Sequence, residues 1–331
     1  MQGKIISLVF VAASVATAVV FGGIRAVCEK ASPPPNPRYE GGSWEPQRRP
    51  PAEPTEPDPF IGDTLALAAA AEGMEAEHIF VYDCTAGKML FSSTDPADRL
   101  WPASITKLFT AYVALVYLPP ERVITVGDEL ALVRSGSSTA FLARGHRLTA
   151  GMLVEAMLLP SGNDAAYTLA AAAGRQISGE NLDAEAAVGV FVAEMNRQAQ
   201  LLGLKDTHFS NPDGYHQEDH VSSPRDLALL GAVAAEQPLI GEYSTLFSDS
   251  VRFESGHTIT WYNTNRLANP GDSFYEPNLV AGKTGYTGQA GCCLLAVVER
   301  QDRRVLVGIF GASDKTRRYT YAHALLDSLG L

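Results

Sequence analysis

Apolar positions recur along this chain in two rhythms, and their order predicts a sheet, then helices, then a sheet. HIFVYDCTAGKMLFS (His78–Ser92) reads as a hairpin, two strands around Thr85-Ala86-Gly87. A run apolar nearly all round follows, starting near Ser104 after Pro102, which suits a helix first turn. LTAGMLVEAMLLPSGNDAAYTLAAAAG carries two helical stretches broken at Pro160-Ser161-Gly162, and Ala187–Leu202 is a further amphipathic helix ending at Gly203. From Leu279 the pattern turns to strands, LVAGKTGYT, CCLLAVVE and RVLVGIFG, before a last helix over about Thr316–Leu329. Strands at both ends of one folded region imply a single sheet built from both, with the helical middle packed against it as a lobe.

The first 30 residues break both rhythms. Ile5 to Ile24 holds no charge, between Lys4 and Arg25. Twenty apolar residues at about 1.5 Å each can span a bilayer core, and exceed the usual apolar stretch of a cleaved signal. An uncleaved membrane anchor is favoured over a cleaved export signal; lipidation at Cys28 ranks last, because Arg25-Ala26-Val27 fits the attachment pattern poorly. All three place the remainder outside the cytoplasm. Ser32–Pro59 then holds ten of the 20 prolines. Such a segment cannot bury a core; as an extended spacer at about 3.1 Å per residue it reaches on the order of 80–90 Å. The expected organisation is therefore 1–30 anchor or signal, 31–60 linker and 61–331 folded domain.

Composition narrows the function classes. With 46% hydrophobic and 19% charged residues the chain can bury a sizeable core, and its net charge of −11 argues against nucleic acid or anionic lipid surfaces as main partner. The four cysteines, Cys28, Cys84, Cys292 and Cys293, are too scattered for a disulfide framework or metal cluster. Cys292 and Cys293 should point to opposite faces of a strand as buried thiols. The seven histidines show no ligand spacing and no phosphate loop appears, so no metal or cofactor is called for.

Candidate chemistry centres on WPASITKLFT (Trp101–Thr110). Lys107 is the only charge in the first four turns of an apolar helix, and an unpaired buried ammonium is expensive. Ser104 lies three residues before it, on the same helix face. A serine hydroxyl needs a base within hydrogen-bond reach, and burial with the nearby positive helix end lowers an amine's pKa toward that role. S-x-x-K alone is weak, since it arises by chance roughly once in a chain this long. Two rarer triplets strengthen it: Ser161-Gly162-Asn163 in the break between helices, and Lys283-Thr284-Gly285 on a strand. The order S-x-x-K, S-x-N, K-T-G closely resembles the trio S-x-x-K, S-D-N, K-T-G of penicillin-binding proteins and β-lactamases.

Leu65 to Leu329 resembles the low-molecular-mass D-alanyl-D-alanine carboxypeptidases, the serine D-Ala-D-Ala peptidases among the penicillin-binding proteins. PASITKLFTAY, LLPSGNDAAYTLA, MNRQAQLLGLKDTHFSNPDGYH and VAGKTGYTGQAGCCLLAV carry the likeness. It implies an α+β (α/β) fold of the β-lactamase/transpeptidase type, with a five-stranded antiparallel sheet flanked by helices and a helical lobe. It also implies removal of the terminal D-alanine from peptidoglycan stem peptides, with β-lactams as inhibitors. Residue by residue, Ser104 resembles the nucleophile, Lys107 its base and Ser161 a proton relay. Asn163 resembles a binder of the substrate amide, Lys283 and Thr284 binders of the terminal carboxylate. Gly285 leaves room for a peptide along the strand, the backbone N–H groups of Ser104 and Tyr286 match an oxyanion hole, and Arg318 matches a second carboxylate-binding position. Asp164 is placed to cap its helix, Thr207–Asn211 and Gly214 to shape the fold, and Tyr215 and His216 to wall the cleft.

Many relatives continue into a β-rich domain and a membrane-lying helix, whereas this sequence ends at Leu331, so attachment is expected from the N-terminal segment. A D,D-endopeptidase acting on cross-links is the near alternative. A β-lactamase is less favoured, for want of a recognisable second base, and so is a non-catalytic β-lactam sensor, since Ser104, Lys107 and Lys283 are all intact. Fold alone cannot separate them.

Overall fold

Two apolar faces on each central strand dictate the architecture. The computed structural model describes residues 60–330; the expectations for the anchor or signal segment and for the linker up to residue 59 lie outside the described residues. β1 (His78–Asp83) and β2 (Lys88–Ser92) form the early hairpin; β7 (Leu279–Thr287), β8 (Gly291–Arg300) and β9 (Arg303–Ala312) form the late meander. They join as one antiparallel sheet, order β2-β1-β9-β8-β7, with β1 lying against β9 from His78↔Phe310 to Asp83↔Val305.

Alternation along β8 sends Cys292, Leu294, Ala296 and Val298 to one face and Cys293, Leu295 and Val297 to the other. The first face packs against α1 (Ile61–Ala71) and the C-terminal α8 (Arg317–Ser328), through Leu67, Tyr319, Ala322 and Leu325. The second packs against the helical middle. Covered on both sides, β8 and β9 read as unbroken apolar runs rather than alternating ones. The adjacent cysteines do face opposite ways, and Cys84, Cys292 and Cys293 are free thiols.

The middle comprises α2 (Thr106–Tyr117), α3 (Ala150–Leu158), α4 (Asn163–Ser178), α5 (Ala184–Leu201), α6 (Pro224–Ala235) and α7 (Pro238–Thr245). Caps explain several starts: Thr149 Oγ1 accepts from the Met152 N–H, Asp183 from Ala186, and Ser223 from Asp226 with Pro224 at the first position. Two small hairpins interrupt it, β3 (Val123–Thr125) with β4 (Arg147–Thr149) and β5 (Ser248–Arg252) with β6 (Thr258–Tyr262). These hairpins, α1, α6 and α7 went unread in the sequence. β3 and β4 are three residues each, too short to show a period, and α1 has a weakly amphipathic, alanine-rich sequence. The helix read from Ser104 begins instead as a tight 3-10 turn, Ala103–Ile105, and becomes α-helical at Thr106. Among the described residues no helix is long and apolar enough to cross a membrane, and no group of three or more His, Cys, Asp or Glu is placed to hold a metal ion.

Candidate active site

The tight turn at Ala103–Ile105 puts one residue into solvent reach: Pro102, Ala103 and Ile105–Ala111 are buried, whereas Ser104 is half-buried and opens into a cavity of about 640 Å³. Ala103 takes φ +48, an uncommon conformation for a residue with a side chain and one that turns Ser104 outward. One turn on, Lys107 is completely buried, and its Nζ donates to Ser104 Oγ at 2.9 Å and to the Asp213 carbonyl at 2.7 Å. Burial lowers its pKa from 10.5 to about 8, against the opposing pull of the Asp213 and Asp164 carboxylates. A neutral amine is therefore within reach near neutral pH.

Opposite the nucleophile, the break between α3 and α4 supplies Ser161 and Asn163. Ser161 has φ +63; the Ser138 hydroxyl donates to its carbonyl at 2.7 Å, and the Ser138 carbonyl accepts from the Asn163 N–H at 2.9 Å. Both side chains line the cavity, and Asn163 Oδ1 is buried there with no protein partner. Asp164 is not the helix cap: Gly162 holds that position with no side-chain cap bond, and Asp164 lies in the first turn. There its carboxylate accepts from the N–H groups of Ala140 (2.8 Å) and Leu142 (2.9 Å) as well as Ala165, pinning the Gly136–Leu142 segment to α4.

The edge strand β7 forms the other wall. Gly285 lies against the nucleophile turn: a Cβ there would stand 3.0 Å from Ala103 Cβ and 3.1 Å from the Ser104 nitrogen. The missing side chain thus lets strand and turn touch. Thr284 and Thr264 share a hydroxyl hydrogen bond of 2.8 Å beside the cavity. Lys283 is buried, its Nζ donating to the Thr284 carbonyl at 3.0 Å. Its pKa is pushed well below 10.5 by burial first, then by repulsion from Lys107 and Arg318. Burial and mutual repulsion disfavour charging both lysines at once.

The adjacent arginines separate cleanly. Arg317 faces outward to Glu75 and Asp314, while Arg318, 6% exposed, donates to the carbonyls of Cys293 (2.9 Å) and Gly285 (3.3 Å) and lines the cavity. The Tyr286 side chain is exposed at the rim, where Tyr215, His216, Gln289 and Lys315 also lie. The expected shaping segment is fixed by Asn211, which accepts from the Gly214 N–H at 2.8 Å and donates to the Tyr215 carbonyl at 2.8 Å. Gly214 has φ +80, and a Cβ on it would fall 1.8 Å from the Ala103 carbonyl oxygen. Seven of the nine candidate residues therefore line one groove, and the other two, Lys107 and Lys283, are buried behind it, bonded to Ser104 Oγ and to the Thr284 carbonyl. Asp213, Ser138 and Thr264 were not foreseen; a backbone carbonyl acceptor has no residue-type signal.

Residues 66–314 match the family model for D-alanyl-D-alanine carboxypeptidase. The chain belongs to that family. It is 31% identical over 257 residues to the D-alanyl-D-alanine carboxypeptidase DacF of Bacillus subtilis, an overlap covering 76% of this chain and 61% of that protein. The chain thus spans about three fifths of that relative's length. A Streptomyces DD-transpeptidase superposes with a TM-score of 0.70 at 26% identity, covering 78% of this family member and 98% of the transpeptidase. A Listeria monocytogenes penicillin-binding protein in its ampicillin-bound form gives 0.62 at 25% identity, covering 78% and 98%.

Proposed function

We propose that this protein is a serine D,D-carboxypeptidase that removes the terminal D-alanine from peptidoglycan stem peptides and is acylated by β-lactams. The observation that carries this reading is the 2.9 Å contact between buried Lys107 and Ser104 Oγ on the floor of the groove, between the S-x-N break and the K-T-G strand. The terminal carboxylate of the peptide docks at Lys283 and Thr284, with Arg318 behind. That anion favours the charged form of Lys283, and a charged Lys283 repels a proton on Lys107, so docking itself favours the neutral base. Asn163, whose Oδ1 has no protein partner, receives the substrate amide N–H.

Ser104 Oγ attacks the penultimate D-alanine carbonyl as its proton passes to Lys107 Nζ. The oxyanion lies against the N–H groups of Ser104 and Tyr286; loss of one such donor typically costs about 100–1000-fold in rate. Ser161 relays the proton from Lys107 to the departing amine, and the C–N bond breaks to leave an ester on Ser104 and free D-alanine. Water attacks the ester, gives its proton back through Lys107, and Ser104 departs with a proton restored.

The region 1–30 serves as membrane anchor or export signal, 31–60 as spacer and 61–331 as the peptidase, working outside the cytoplasm. Fractionation that finds the full-length chain soluble in the cytoplasm removes that placement. The activity itself is tested by incubating the protein with a peptide ending in D-Ala-D-Ala and measuring released D-alanine, with Ser104→Ala as control. Release that depends on Ser104 is expected. No release from the parent, together with no covalent penicillin adduct by mass spectrometry, refutes the assignment.

A further inference from the structure

Behind the nucleophile turn lies a buried imidazole that plays no part in the scheme above. His220, 1% exposed, accepts the Ser210 N–H on Nδ1 at 3.1 Å and faces Thr106 Oγ1 with Nε2 at 2.9 Å. A backbone N–H can only donate, so Nδ1 carries no proton. The ring's hydrogen is therefore on Nε2, and His220 donates to Thr106. Thr106 stands between Ser104 and Lys107 in the chain, two residues from one and one from the other. Ser210 opens the segment that ends at Asp213, whose carbonyl receives the Lys107 ammonium.

One imidazole thus bridges the two segments that must hold Lys107 in register. The loop 210–214 is stiff in its own right, held by Asn211 and by the close fit of Gly214 on the Ala103 carbonyl. The ring itself is wedged edge-on against Phe209, centroids 5.7 Å apart. The charged groups around it are Asp219, which favours an imidazolium, and Lys107, His208 and His216, which oppose it. Burial dominates and pushes the pKa down to about 3. A proton on Nδ1 would also set two donors face to face at Ser210. The bridge therefore keeps one tautomer throughout the working pH range.

We propose that His220 is a positioning residue for acylation: its Nε2–H···Thr106 and Ser210 N–H···Nδ1 bonds lock the Ser104–Lys107 turn against the Asp213 carbonyl. The inference rests on the serine-acylation reading of the site. A misplacement near 1 Å can cost about 100-fold in rate while leaving ground-state binding untouched. The position is thus expected to act on the acylation step and not on recognition.

The test separates penicillin binding from covalent acylation by stopped-flow, with peptide kcat and KM measured alongside, on the full chain. His220→Phe keeps the ring and its contact with Phe209 but deletes both hydrogen bonds; His220→Gln keeps one acceptor and one donor. Thr106→Val cuts the same bridge from the other side with little change of volume, and serves if His220→Phe fails to fold. Expected are a ten- to hundredfold slower acylation in His220→Phe with the binding constant within about twofold of the parent, substantial recovery in His220→Gln, and no further loss when Thr106→Val is added. A folded His220→Phe that acylates at the parent rate, a loss residing in binding, or effects of His220→Phe and Thr106→Val that multiply would each overturn the proposal. An unmodified protein that takes no penicillin would instead refute the acylation reading and is seen first, in the parent control.

Discussion

Replacing Lys107 with methionine should make the protein more stable at pH 7 while abolishing acylation. The amine is wholly buried, and burial takes its pKa from 10.5 to about 8. In the unfolded chain it keeps the ordinary value. Between about pH 8 and 10.5 the unfolded chain therefore binds more protons, so stability rises with pH across that window; below pH 8 the full penalty applies, about 3 kcal/mol at roughly 1.4 kcal/mol per unit. Methionine of similar length removes the penalty and gives up two hydrogen bonds, to Ser104 Oγ and the Asp213 carbonyl, worth together about 2 kcal/mol. The net gain is about 1 kcal/mol at pH 7, or roughly 2–4 °C in Tm for a domain of this size. At pH 10 the penalty has fallen below about 1 kcal/mol, so the variant should be less stable than the parent by about 1 kcal/mol. Relief of the repulsion on Lys283 acts in the same direction as the gain at pH 7. Urea unfolding of both proteins at pH 7 and pH 10 measures the reversal. A stability difference independent of pH would refute the buried lysine of lowered pKa on which the mechanism depends.

Three further outcomes follow from the same geometry. Acylation by a penicillin should rise about tenfold per pH unit below pH 8 and level above it as Lys107 loses its proton; a profile flat from pH 6 to 9 contradicts this. Gly285→Ala places a Cβ 3.0 Å from Ala103 Cβ and 3.1 Å from the Ser104 nitrogen. It should slow acylation at least tenfold for a stability loss of about 1 kcal/mol, as the turn shifts rather than the sheet; a larger loss in melting than in rate would argue otherwise. Asp164→Asn leaves the Ala140 and Leu142 N–H groups with a weaker acceptor. It should destabilise by about 1–3 kcal/mol in urea unfolding, and a loss below 0.5 kcal/mol would mean the loop holds itself.

How far the chain could be read depended on how local each feature is. The continuous apolar runs of β8 and β9, the hairpin at Thr85-Ala86-Gly87 and the break at Pro160–Gly162 all sit where their patterns placed them, because short apolar runs and proline or glycine breaks act over a few residues. The spacing of Ser104 and Lys107 also works locally, since one turn of backbone joins them whatever lies around. The tight 3-10 start with φ +48 at Ala103 was not legible: alanine has no preference for that conformation, and Gly214 and Gly285 pressing on the turn impose it.

Arg317 and Arg318 show the same divide. Their residue types are identical, and the packing of α8 on the sheet alone turns one outward to Glu75 and the other inward to the Cys293 carbonyl. Asp213 and His220 belong wholly to the tertiary level, for they meet Lys107 and Thr106 from 106 and 114 residues away. By itself the amino-acid order determined the early hairpin, the late strands and the catalytic-turn, middle and last helices, together with which hydroxyl and amines are available for chemistry, all consequences of short-range geometry and side-chain identity. Only the closed fold decided that the amine is dry, which carbonyl receives it and where the second lysine stands, because desolvation and charge repulsion exist only once distant segments have excluded the water between them.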